Sequence, residues 1–344
     1  MTDRTRHGSS AAPWPRRRVL SVIAAAAGMP LLPGASQAAA PAGPELLRWR
    51  GRALGAMSTI TLAHPDTLVL RRTLAHCVNE IRRLEGVFSL FEPGSELRRL
   101  NRDGRLTAPS LDLRIALAEA HRISTITGGA FDVTVQPLWT VFSAHFRRQP
   151  DDAAGPSRRD IERARGLVDY RMLETGSGSI AFARHGMAAT LNGIAQGYVT
   201  DRIGAILRSE GFGRVLVDVG EIAALAPPNN GKPWRIAVED PDNTGRQTAR
   251  LALSNQAAAT SRAKATRFDT AGRHHHLFAP STGRSAASRG LVTVVADSAM
   301  TADALSTALA VSQDPPAPAL LRASGADQAL IIDGRGKRIW IGAN

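Results

Sequence analysis

Thr190 to Asp201 reads TLNGIAQGYVTD, and no other stretch narrows the choice of fold so much. Glycines at 193 and 197 bracket a helix start, where backbone N–H groups lack intrahelical partners and the dipole favours an anion. Apolar residues then recur at Ile194, Tyr198, Ile203, Ile206 and Leu207, the spacing of one helical face. Gly211 ends that run, and Val215 to Val219 reads as a buried strand. A helix that begins on small residues and feeds such a strand suggests a phosphate or pyrophosphate site. The suggestion gains specificity from two later segments, His274 to Arg284 (HHHLFAPSTGR) and Ser298 to Ala310 (SAMTADALSTALA).

Around that unit the chain alternates helices and strands without a steady βαβ rhythm. Trp49 to Leu62 reads as a strand pair with a turn near Gly55, and Leu74, Cys77, Val78, Ile81, Leu84 and Phe88 mark an amphipathic helix. The Pro93-Gly94 turn and Ser95 as N-cap start a short second helix, and Leu113, Leu117, Ala120 and Ile123 mark a third that ends at Gly128-Gly129. Ala130 to Trp139 (AFDVTVQPLW) reads as extended, Gln149 to Pro156 as a polar loop, and Ile161 to Val168 as a short helical piece. Trp234 to Glu239 and Leu291 to Ala296 read as strands, and Ala299 to Val311 as a helix. Prolines 315, 316 and 318 break the chain, and Asp333 to Gly336 joins a closing hairpin of Ala329 to Ile332 and Arg338 to Ile341. No internal repeat is present, and the mixture predicts an α+β fold rather than a doubly wound sheet.

Composition bears on partners and compartment. The 344 residues carry a net charge of +13, yet lysine occurs only at positions 232, 264 and 337. The arginines are scattered, with no polybasic block and few aromatics between them, which argues against nucleic acid as a partner. An anionic ligand would still be welcome in this field. Residues 1–40 read as an address: Arg16-Arg17-Arg18 is followed by Val19 and Leu20, then an Ala-rich stretch to Leu32, then small residues at 35–40. That stretch holds Gly28 and Pro30 and is too short to span a bilayer. The reading is a Tat-type export signal over 1–40 and a single domain over 41–344. The mature protein is then periplasmic, with no transmembrane span after signal removal. Cys77 is the one cysteine, so no internal disulfide or cysteine metal cage is available, and its helical neighbours make it a core residue.

The positions that can carry chemistry cluster late. Asp303 and Thr307 lie four apart on a predicted helix and so share a face. A carboxylate beside a hydroxyl offers oxygen ligands, which suit Mg²⁺ rather than zinc; Asp303 as an ordinary surface or capping carboxylate is the alternative. Ser306, next to the same turn, can join through its hydroxyl or a water. Of His274, His275 and His276, an extended backbone lets only His274 and His276 converge, and no carboxylate sits at a familiar zinc spacing. A single functional histidine beside a phosphate, acting as base, acid or donor, fits better. Phe91 precedes a Pro-Gly turn, where an exposed aromatic can stack on a planar ring. Phe131 and Asp132 follow two glycines at a loop-to-strand junction that can touch a ligand or merely cap a turn.

In order, FSLFEPGSELRRLN, GGAFDVTVQPLW, TLNGIAQGYVTD, HHHLFAPSTGR and SAMTADALSTALA resemble the ApbE flavin transferases, over most of the chain from about Gly55 to Val311. The resemblance implies a T-fold-like core, FAD as substrate, Mg²⁺, and a Thr or Ser hydroxyl of a partner protein as acceptor. It implies FAD contacts at Met57, Phe91, Ala130, Phe131, Asp132, Thr190, Gln196 and Leu277, and metal contacts at Asp303, Ser306, Thr307 and the Gly193 carbonyl. His276 falls near the reacting phosphate. The export signal and the LNGIAQG variant look like the branch that flavinylates membrane reductase subunits, including nitrous oxide reduction accessory proteins. Three positions depart from the family pattern: Thr190 stands where Asp is usual, Gln196 where Lys is common, and Ala279 where a DPxTG turn has Asp. An FAD pyrophosphatase in the same site and a non-catalytic periplasmic flavin-binding or assembly protein are the alternatives.

Overall fold

The computed structural model describes residues 20–22, 45–227, 231–239, 247–287, 290–312, 316–333 and 335–342. Most of the expected export signal, the linker at 41–44, Pro315 and Gly334 of the last turn lie outside the described residues. The helices are α1 (Thr67–Phe88), α2 (Glu96–Asp103), α3 (Leu111–Ile126), α4 (Gln136–Phe146), α5 (Arg158–Arg165), α6 (Ala195–Ser209), α7 (Ala299–Val311) and α8 (Ala317–Ser324). Strands β1 to β8 are Leu20–Val22, Glu45–Ala53, Ala56–His64, Arg105–Thr107, Leu173–Thr175, Ser179–Phe182, Leu216–Asp218 and Ile222–Ala224. Strands β9 to β16 are Trp234–Glu239, Gln247–Leu253, Gln256–Arg262, Phe278–Ala279, Arg284–Ser285, Leu291–Ala296, Ala326–Ile332 and Arg338–Gly342.

Eight of these strands form one sheet in the order β16-β15-β14-β11-β8-β7-β3-β2, and every neighbouring pair is antiparallel. Helices gather on one face of it and the β9–β10 hairpin covers the other, where Ile236, Val238, Leu251 and Leu253 meet Ala258, Val295 and Leu330. The architecture is therefore α+β, helices against an antiparallel sheet, and no helix among the described residues is long and apolar enough to cross a membrane. Being buried on both faces, β14 is a continuous run, LVTVVA, with no polar alternation. Within the segment expected as an export signal, β1 pairs antiparallel with β9.

Local chemistry sets the helices. Asp66, Ser95, Ser110 and Ser298 cap α1, α2, α3 and α7 by accepting backbone N–H groups of the first turn. Leu70, Cys77, Ile81, Leu84 and Phe88 bury one stripe of α1. The expectation of an extended Ala130–Trp139 is wrong. Asp132 opens a 3₁₀ turn, Val133–Val135, and Pro137 sits in the first turn of α4, where its missing N–H leaves no bond unmade. The strands β10 and β11 carried no expectation, because residues such as Gln247, Arg250, Gln256 and Ser261 break the apolar pattern. Helices α4 and α5 build a satellite core with Phe142, Phe146, Phe268 and Phe278.

Candidate functional site

The glycines at 193 and 197 serve close packing of α6 on α7. A Cβ on Gly197 would lie 2.3 Å from the Ala299 carbonyl oxygen, and one on Gly193 would lie 2.9 Å from Thr307 Oγ1. The two helix starts also bind each other. Asp201 of α6 accepts from Ser298 Oγ (2.7 Å), Ala299 N (2.8 Å) and Met300 N (3.0 Å) at the head of α7. In return Asp303 Oδ2 accepts the N–H of Gly197, at 3.1 Å, in the first turn of α6. Burial raises the Asp201 carboxyl above the usual range, and the three bonds it accepts oppose that shift. Asp303 is 4% exposed, so its place is set by the helix pair rather than by solvent.

Asp303 and Thr307, one turn apart on α7, line a single cleft at the α6–α7 junction. Of the residues singled out from the sequence, Met57, Ala130, Phe131, Asp132, Thr190, Gly193, Gln196, His276 and Leu277 line it as well. Phe91, 58% exposed, lines an adjoining cavity with Trp139 and Arg147, and the two cavities share Asn192 and His276. They therefore meet at one histidine and give an elongated ligand a continuous path. Ser306 lies one layer back. Its hydroxyl donates to the Asp303 carbonyl at 2.9 Å and bonds Ser261 Oγ at 2.8 Å, while Ser261 also bonds Thr307 Oγ1 at 3.0 Å.

The loop before α6 is held from both sides. Asn101 of α2 donates to the Ala189 carbonyl and accepts the Ala189 N–H, at 2.8 and 2.7 Å. Thr190 N donates to the Val133 carbonyl at 2.8 Å, which ties the loop to the 3₁₀ turn. Asp132 does not open a strand. Its Oδ1 accepts from Thr134 N and Oγ1 at 2.7 and 2.6 Å, and Oδ2 accepts from Tyr170 N at 2.9 Å. Burial raises its carboxyl, against those bonds. It therefore braces the cleft wall.

The three histidines separate. His274 packs against Phe142 and Phe146, so it does not converge with His276. The ring of His275 is buried, with Nε2 donating to the Ala286 carbonyl at 3.0 Å, and burial lowers its pKa to about 4. His276 Nδ1 lies 3.2 Å from the Thr266 carbonyl. A carbonyl only accepts, so Nδ1 carries the proton in this contact, and the ring lines the cleft.

Among the polar cleft residues that the sequence reading missed are Asp218, Glu221, Ser261 and Arg262. Gly220, at φ +100, makes the β7–β8 turn that presents Asp218 and Glu221, and its bare Cα leaves room for the Gln196 side chain. That glycine beside two acids was the available signal; Ser261 and Arg262 depend on β11, which had none. Among the described residues no three His, Cys, Asp or Glu side chains form a metal-binding group. A cation here must instead draw on a carboxylate, a hydroxyl and a carbonyl, the hard oxygen set that fits Mg²⁺. Gly193, Thr307 and Asp303 line the same cleft, and a Cβ on Gly193 would lie 2.9 Å from Thr307 Oγ1.

Comparison with known proteins gives the same answer at the level of family. The family model described as "ApbE family" matches residues 54–331. A Haemophilus influenzae protein named FAD:protein FMN transferase is 31% identical over 241 residues, covering 67% of this chain and 70% of its own length. Its Vibrio cholerae namesake is 30% identical over 250 residues, covering 71% and 74%. Among solved structures, the ApbE protein of Thermotoga maritima superimposes with a TM-score of 0.74 at 26% identity, over 86% of this chain and 96% of that one. The flavin transferase ApbE from Vibrio cholerae shares the fold, with a TM-score of 0.73 at 24% identity over 87% and 97%.

Proposed function

The chain belongs to the ApbE family and is a transferase; from that premise we propose that it moves FMN from FAD to a Thr or Ser hydroxyl of a partner protein and releases AMP. The acceptor is a flavoprotein subunit, with a membrane reductase subunit the best fit and the nitrous oxide reduction branch the more specific version. Export by the Tat-type signal puts the reaction in the periplasm. The observation that carries the reading is the meeting of Asp303, Thr307, Gly193 and His276 in one cleft.

Asp303, Thr307 and the Gly193 carbonyl would hold Mg²⁺, with Ser306 behind them, and the bound ion supplies neutralisation of charge on the phosphate oxygens. This chain's residues otherwise position and exclude. Asp201 and Asp303 lock the α6 start against α7, so the helix end that favours an anion faces the cleft without reorganising. Met57 and Phe91, 47% and 58% exposed, give the planar rings of FAD an apolar landing. Thr190 and Gln196 are neutral hydrogen-bonding groups beside the phosphates. His276 Nε2 takes the proton of the acceptor hydroxyl. The hydroxyl oxygen attacks the phosphorus on the FMN side, the bond from that phosphorus to the bridging oxygen breaks, and AMP leaves with that oxygen. The absence of a nucleophile motif agrees, since no covalent enzyme intermediate is needed.

The test combines purified protein, FAD, Mg²⁺ and a candidate acceptor, read by flavin fluorescence of the acceptor band in a denaturing gel. A fluorescent acceptor that disappears in Asp303→Ala supports the proposal. Free FMN with no labelled acceptor indicates an FAD pyrophosphatase, and intact bound FAD alone indicates a carrier.

A further inference from the structure

The cleft poses an electrostatic problem. Asp132, Asp218, Glu221 and Asp303 all line it, and a dinucleotide's diphosphate brings further negative charge. One divalent cation offsets only part of this. Among the described residues that line this cleft, Arg262 is the one Arg or Lys, and it is 5% exposed. It ends β11 directly after Ser261, whose hydroxyl reaches Thr307 Oγ1 at 3.0 Å. Arg262 thus shares the cleft with Asp303 and Thr307 of α7. Gln196 is buried in the same cleft and is neutral, seated on the β7–β8 turn where the missing Cβ of Gly220 leaves it room.

A guanidinium stays charged at any pH a protein survives, and its planar fork of donors matches paired phosphate oxygens. Burying one costs several kcal/mol unless anions meet it, and carboxylates share its cleft. We infer that Arg262 binds the diphosphate of FAD and supplies from β11 the positive charge that Gln196 does not supply from α6. This rests on the flavin-transfer reading of the cleft. It adds a residue of this chain that distinguishes nucleotide from bare flavin.

The test is equilibrium binding of FAD and of riboflavin, followed by flavin fluorescence without Mg²⁺, with thermal unfolding as the check of folding. In the wild type, FAD binds more tightly than riboflavin. Arg262→Gln lowers FAD affinity by about ten- to hundredfold and leaves riboflavin affinity unchanged. Adding Gln196→Lys to Arg262→Gln restores the preference for FAD, because the charge returns to the same cleft from α6. A folded Arg262→Gln that loses FAD and riboflavin equally, or loses neither, overturns the inference while the flavin reading stands. A wild type that binds no FAD overturns both. If Arg262→Gln does not fold, Arg262→Lys decides: it keeps the charge and most of the preference for FAD, and loss of that preference contradicts the role.

Discussion

His274 and His276 leave one short segment and enter two unlike surroundings. His274 joins Phe142, Phe146, Phe268 and Phe278, large rings that fill the satellite core of α4 and α5. His276 lines the cleft at the α6–α7 junction, where Gly193, Gly197 and Ala299 bring two helix starts together around Asp201 and Asp303. The first region is held by area removed from water and by ring packing. The second buries carboxylates and can keep them only because backbone N–H groups meet them. One region therefore carries stability, and the other spends small residues and buried charge on a pre-formed site.

The two regions should come apart under substitution. Phe142→Ala empties the aromatic core and lowers the unfolding free energy by about 3–5 kcal/mol. Its folded fraction should keep FAD affinity, so denaturant titrations with and without FAD separate the two effects. Loss of FAD binding by folded protein would show the aromatic core and the cleft to be one unit.

Acid should find the boundary between the regions next. The buried His275 ring titrates near 4 against 6.5 for an ordinary histidine. Between those values the unfolded chain binds the extra proton, so stability is intact above the upper value and falls as pH drops toward the lower one. The full loss is about 3 kcal/mol. His275→Gln should flatten that slope in unfolding experiments at a series of pH values; an unchanged slope would place the titration elsewhere.

Gly193→Ala should have the smallest effect on stability and the sharpest on the site. Its methyl meets Thr307 Oγ1 at 2.9 Å and Phe131 at 3.3 Å, at a stability cost of about 1 kcal/mol. Mn²⁺ affinity should fall well beyond what that figure implies, measured by paramagnetic broadening. Equal losses in stability and affinity would erase the contrast.

Much of the site was legible because its chemistry is local. The helix start at 193–197 and the i, i+4 pair Asp303 and Thr307 follow from spacing alone, and Ser95 announces α2 through its cap. Val133, Thr134 and Val135 misled in the other direction: three β-branched residues suggest a strand, yet Asp132 caps them into a 3₁₀ turn. Arg262 and Ser261 were out of reach for a different reason. They enter the cleft through the pairing of β11 with β8 and β14, and register between distant strands is not written in any short window. Ala279, despite its departure from the family pattern, still closes its turn, as its carbonyl accepts from Gly283 N at 2.8 Å.

The central claim is that oxygens of α7 grip a divalent cation against the diphosphate of FAD. Crystals soaked with FAD and Mn²⁺ in the absence of acceptor test it through the anomalous signal of the metal. The account predicts one manganese peak bounded by Asp303, Thr307 and the Gly193 carbonyl, with the diphosphate on its open side. A diphosphate bound away from α7, or manganese bound without it at another site, would contradict the account.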